Sequence, residues 1–129
     1  MAGRIAVLNA ISAETTGDAL AFIHRTLAAF SAEMVATDFR HGCLMQNLAN
    51  ELPALDPELT ARVARGFVDS TEIIASHFRA YGFDPARASS TASALAAAVE
   101  GARTIARLER TTAVFDALAD VSGRRWANP

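Results

Sequence analysis

The chain has 129 residues, 51% of them hydrophobic, and a formal net charge of −2. That length suits one domain, which buries roughly two-thirds of the surface its unfolded form exposes and needs no covalent staple. The charge excludes the broadly basic surface that gripping nucleic acid through phosphates requires, and the single cysteine, Cys43, excludes an internal disulfide.

Taken in chain order, the spacing of apolar residues predicts helices and no sustained strand alternation. Residues 4–11 read as a short helix with Ile5, Leu8 and Ile11 on one side. Leu20, Ile23, Leu27, Phe30 and Met34 then fall three and four apart, which puts one stripe on a helix over about 18–37. Thr15, Thr16 and Asp18 offer caps at its start. Residues 42–52 carry Leu44, Leu48 and Leu52 and stop at Pro53. Asp56-Pro57 and Asp84-Pro85 each set a capping aspartate before proline at the first helical position. The first of these helices carries Leu59, Val63, Phe67, Ile74 and Phe78 and ends near Gly82, a C-cap candidate. The second carries Ala88, Ala92, Leu95, Val99, Ala102 and Ala106, with Ala94, Ala97, Ala98 and Gly101 elsewhere on its surface, so it is expected to pack on two sides. Residues 112–121 form the last helix, which Gly123 is expected to break.

All 12 basic residues are arginine, scattered along the helices, which fits a GC-rich coding sequence. No segment combines a charged start, an apolar run and a small-residue cleavage site, and no apolar stretch reads as long enough to cross a bilayer. The expected location is the cytoplasm, with no membrane partner.

Two segments carry a family resemblance. The first holds Gly42-Cys43-Leu44, Asn47-Leu48-Ala49 and Glu51, followed by Asp56-Pro57. The second holds Glu100-Gly101-Ala102, Ala106-Arg107 and Glu109-Arg110, followed by Phe115-Asp116. In pattern and separation both resemble the C-terminal regulatory domain of the TetR family of bacterial transcriptional regulators, over about residues 15–121. The resemblance implies an all-α bundle of about five to seven helices. It also implies a cavity for a small hydrophobic or amphipathic effector, and a homodimer formed by the last two helices. Members of that family read DNA through an N-terminal helix-turn-helix head. Nothing before Asp18 has the pattern of such a head, so operator DNA is expected as a partner only through a missing one. On this reading residues 1–129 are a single effector-binding and dimerisation domain. Residues 1–14 are a remnant of the linker helix, and 122–129 are a frayed tail in which Trp126 can dock.

Within that frame, Phe30, Met34, Met45, Phe67, Ile74 and Phe78 are candidates to line an effector cavity, and spacing alone does not separate wall from core. His24, Asn47 and Thr71 are the candidate orienting groups, with Glu72 as an alternative to Thr71. Ala94, Ala98, Gly101, Ala102, Ile105, Phe115 and Leu118 are the candidate dimer interface, because small residues permit close helix approach and the larger ones add apolar area. Glu100, Arg103, Arg107, Glu109 and Arg110 read as a solvated, weakly paired face.

Catalytic and metal readings are not supported. His24, His41 and His77 lie on different segments without ligand spacing, Cys43 near His41 has no third orienting group, and Gly42, Gly66 and Gly101 are isolated. The expectation is therefore no enzyme, no cofactor and no metal. Three functions stay open: the effector domain of a regulator, a stand-alone helical small-molecule-binding or carrier protein, and a structural module without a cavity.

Overall fold

Each of the three longest helices starts on an aspartate whose carboxylate accepts a backbone N–H of the first turn. Asp18 accepts from Ala21 at 2.9 Å, Asp56 from Leu59 at 2.9 Å, and Asp84 from Arg87 at 3.0 Å. A computed structural model describes residues 2–51 and 54–125. Among these, six helices follow one another: α1 (Ala2–Glu14), α2 (Ala19–Ala36), α3 (Leu44–Glu51), α4 (Pro57–Ala80), α5 (Pro85–Glu109) and α6 (Ala113–Arg125). No strand occurs among the described residues. Pro53 and Trp126, singled out as a stop and a docking side chain, lie outside them.

The long helices α4 and α5 fold back on each other across a short turn and make the most extensive pairing in the molecule. That turn is a Schellman motif with every part present. The Gly82 N–H bonds to Arg79 O, the Phe83 N–H bonds to Phe78 O, and the Phe83 ring packs on Phe78 with centroids 5.1 Å apart. Gly82 holds φ +96°, which a side chain would resist. Helix α2 lies against α1, α5 and α6, and buries Phe22, Ile23, Leu27, Phe30 and Met34. The α5 stripe Ala88, Ala92, Leu95, Val99, Ala102 and Ala106 is wholly inside the bundle. On α4 the buried line runs through Val63, Gly66, Ser70, Ile74 and Phe78; Phe67, one position from Gly66 on the helix, turns aside and is half-buried.

Two expectations change. Gly123 does not break the last helix, which continues to Arg125. Ser122 is buried, and its hydroxyl donates to Leu118 O at 2.5 Å. A Cβ on Gly123 would stand 3.3 Å from Leu20 Cδ1, so the glycine allows close contact with α2 and is not a stop. Second, α2 is long and apolar enough to cross a membrane by length and composition, with mean hydropathy 1.2 over 18 residues. Burial of its large side chains in the bundle accounts for that composition: it is a core helix.

The end of α1 is latched to the end of α4. Ser12 Oγ and His77 Nδ1 are 2.7 Å apart, and Thr15 Oγ1 and Tyr81 Oη are 3.2 Å apart. His77 lies against Phe22, its Nε2 buried without a hydrogen-bond partner, and burial holds its pKa below the ordinary value of 6.5.

Candidate effector cleft

The helices leave a cleft of about 590 Å³ between α1, α2, α5 and the start of α3. That size falls in the range of small-molecule sites. Val7, Ala29, Phe30, Leu44 and Met45 give it apolar walls, while Arg4, Glu33, Cys43 and Arg103 supply its polar groups.

The polar groups form an ordered cluster around one aromatic ring. Arg4 and Arg103 both sit over Phe30, their guanidinium carbons 5.3 and 5.1 Å from the ring centroid. Arg4 Nη1 donates to Glu100 Oε1 at 2.5 Å and lies 3.9 Å from the Cys43 thiol sulfur. Arg103 Nη2 donates to Glu33 Oε1 at 3.1 Å. The two pairs are unequal. Glu100 is buried and Arg4 is largely covered, with side chains 9% and 13% exposed; Arg103 is 6% exposed but Glu33 is 47% exposed. Three buried atoms of the cluster have no hydrogen-bond partner: Arg4 Nε, Arg103 Nε and Glu100 Oε2. Charges in such a setting are held by one another, because each taken alone carries a large desolvation cost.

This cluster corrects the reading of Glu100 and Arg103 as a solvated face. Both are buried, at 7% and 5% exposure. The signal was in the sequence: Arg103 falls four residues after Val99 and three before Ala106, on the stripe that faces the bundle. Arg107, Glu109 and Arg110 are exposed, as expected of a solvated face. Arg110 pairs with Asp38 at 2.8 Å and so ties the end of α5 to the turn after α2, where Asp38 and Phe39 hold left-handed backbone at φ 49° and 56°.

The candidate cavity residues are not gathered in one place. Phe30 and Met45 line the cleft. Asn47 lines a neighbouring notch that shares Gly42 and Arg103 with it. His24 lies in a shallow groove beside α6, with Nε2 3.0 Å from Ala119 O. Phe67 and Thr71 face another groove, between α4 and α5; Glu72 there pairs with Arg79 at 2.5 Å. Met34, Ile74 and Phe78 are packed in the core. Residue-by-residue reading missed Arg4, Glu33, Cys43 and Arg103 as cleft groups, because they come together from α1, α2, α5 and the α3 start only on folding.

The candidate interface residues divide by direction. Ala102 and Phe115 are buried in the core, and Leu118 packs against it. Ala94 and Ala98 are partly exposed, Gly101 and Ile105 are exposed, and a Cβ on Gly101 would meet nothing within 4 Å. Leu108 and Val121, at 79% and 53% exposure, extend the uncovered apolar surface. Among the described residues no three His, Cys, Asp or Glu side chains are gathered as a metal ion would need.

No curated protein and no solved structure matches the chain. The family model for the C-terminal domain of LmrA/YxaF-like transcriptional regulators matches residues 19–121, from the start of α2 into α6. That span contains most of the cleft and all of the outward α5 stripe, and it is most of the chain. The chain therefore belongs to the C-terminal domains of LmrA/YxaF-like transcriptional regulators of the TetR family.

Proposed function

We propose that this chain is the sensing and pairing body of a bacterial, cytoplasmic transcriptional regulator. A small amphipathic molecule occupies the cleft, and a second copy docks on the outward face of α5 and α6. Operator DNA is contacted only by a helix-turn-helix head acting through α1. The observation that carries the reading is the composition of the cleft wall. It mixes apolar side chains with a few buried charged groups, and one of those, Arg4, belongs to α1. A molecule bound there touches the helix that leads towards the position of a head. It biases the regulator only by preferring one placement of α1 over another, since equal affinity for both shifts nothing. The role is binding and not catalysis.

Thermal unfolding against a panel of hydrophobic and amphipathic small molecules tests this. A molecule that binds only the folded chain raises the midpoint, and the rise grows with the logarithm of its concentration above Kd. The expected result is stabilisation of the native chain and less of Val7→Trp, which obstructs the cleft from a position 43% exposed. Equal stabilisation of both proteins would place the site elsewhere, and none by any compound would leave a structural module.

A further inference from the structure

We propose that the cleft takes an amphiphile with an anionic, carboxylate-type head, anchored by Arg103 in place of Glu33. The proposal rests on the reading of the cleft as an effector site. The charged groups lining the cleft are Arg4, Arg103 and Glu33, and with Glu100, the buried partner of Arg4, they balance as two pairs. Arg4 is committed, because its carboxylate partner Glu100 is itself buried and 2.5 Å away. Arg103 is not. Its side chain is 6% exposed, but its partner Glu33 is 47% exposed and farther off at 3.1 Å. An exposed carboxylate loses little by turning back to water, whereas a buried guanidinium must keep a counter-charge. A ligand carboxylate supplies one.

The donors of Arg103 are half used. A guanidinium grips a carboxylate side-on through Nε and Nη2, a two-toothed fork. Here Nη2 donates to Glu33 while Nε is buried without a partner. Glu33 thus fills one tooth of a fork that a ligand carboxylate can fill completely. Beside it, Arg107 lines the notch that shares Arg103 and Gly42 with the cleft, and adds positive potential at the same end. Val7, Ala29, Leu44 and Met45 give the ligand's apolar part its walls. A cationic head would draw Glu33 away and leave the buried Arg103 guanidinium without a counter-charge, and a neutral head would leave the fork half empty.

Isothermal titration of the whole chain with octanoate, 1-octanol and octyltrimethylammonium tests the head group at constant tail length. Octanoate is expected to bind about tenfold more tightly than 1-octanol, as a charge-assisted bidentate contact implies, with the cation weakest. Glu33→Gln removes the internal competitor at a half-exposed site and is expected to raise the octanoate-to-octanol affinity ratio about threefold. Arg103→Gln is expected to abolish the preference. Equal binding of octanoate and octanol, a preference for the cation, or a ratio unmoved by Glu33→Gln would overturn the anionic head while leaving the cleft as the site. Failure of all three probes to bind would overturn the anionic head and count against the cleft itself.

Discussion

Arg4 ties the wall of the cleft to the stability of the fold. One guanidinium pairs with a buried carboxylate, covers an aromatic ring, lies near the Cys43 thiol and forms part of the cleft wall. Removing it alone leaves Glu100 buried without a counter-charge, so Arg4→Met is expected to destabilise the fold by about 3 kcal/mol. The double variant Arg4→Met with Glu100→Leu is expected to recover most of that loss, because the uncompensated charge is gone as well. Urea unfolding of the two variants reads the difference directly. His77 gives a second residue-scale prediction, with a defined sign. Its folded pKa is below 6.5, so the folded state binds fewer protons than the unfolded state in the window below that value. The stabilisation is full above about pH 6.5 and is lost as pH falls through the folded pKa. Urea midpoints measured from pH 7.5 down to 5 are expected to decline for the native chain and to decline less for His77→Gln.

At the scale of elements, turn chemistry determines where helices meet. Gly82 and Phe83 close α4 and set the angle at which α5 returns. Gly82→Ala meets no steric neighbour, so its cost is that of the left-handed backbone alone, about 1 kcal/mol in a thermal or urea melt. This level was the most legible in the sequence. The capping aspartates, the prolines after two of them, and the three- and four-residue apolar spacing are local signals, and each corresponds to a helix in the fold. Legibility failed where one residue type serves two purposes. Glycine at position 123 reads as a breaker but gives room for Leu20. Charges at Glu100 and Arg103 read as solvent-facing by type, yet their register places them on the buried side of α5. The cleft was illegible for a different reason: its polar groups are separated by up to 99 positions along the chain, between Arg4 and Arg103, and no local pattern records their meeting.

For the whole molecule, the line along α5 from the partly exposed Ala98 through the exposed Gly101 and Ile105 to Leu108 is apolar, small at its start and large at its end. A glycine in an exposed mid-helix position costs roughly 0.5–1 kcal/mol relative to alanine, and Gly101 has open space around its missing Cβ. Both are what the proposed close approach of a second copy would require. Ile105→Glu is expected to convert a dimer to a monomer in sedimentation at micromolar concentration without loss of helical content; a chain already monomeric before substitution would contradict the pairing. Cys43 offers the most direct reading of the cleft as a binding site. It is the chain's single cysteine, 8% exposed, and it lines the cleft beside Arg4. Alkylation by iodoacetamide should be followed where low urea does not change the rate, so that the native state is what reacts. With a saturating amount of whichever alkyl probe binds, the reaction is expected to slow about tenfold, as blocked access to a thiol requires. An unchanged rate at saturation would mean that the molecule binds elsewhere and that the cleft is not the effector site.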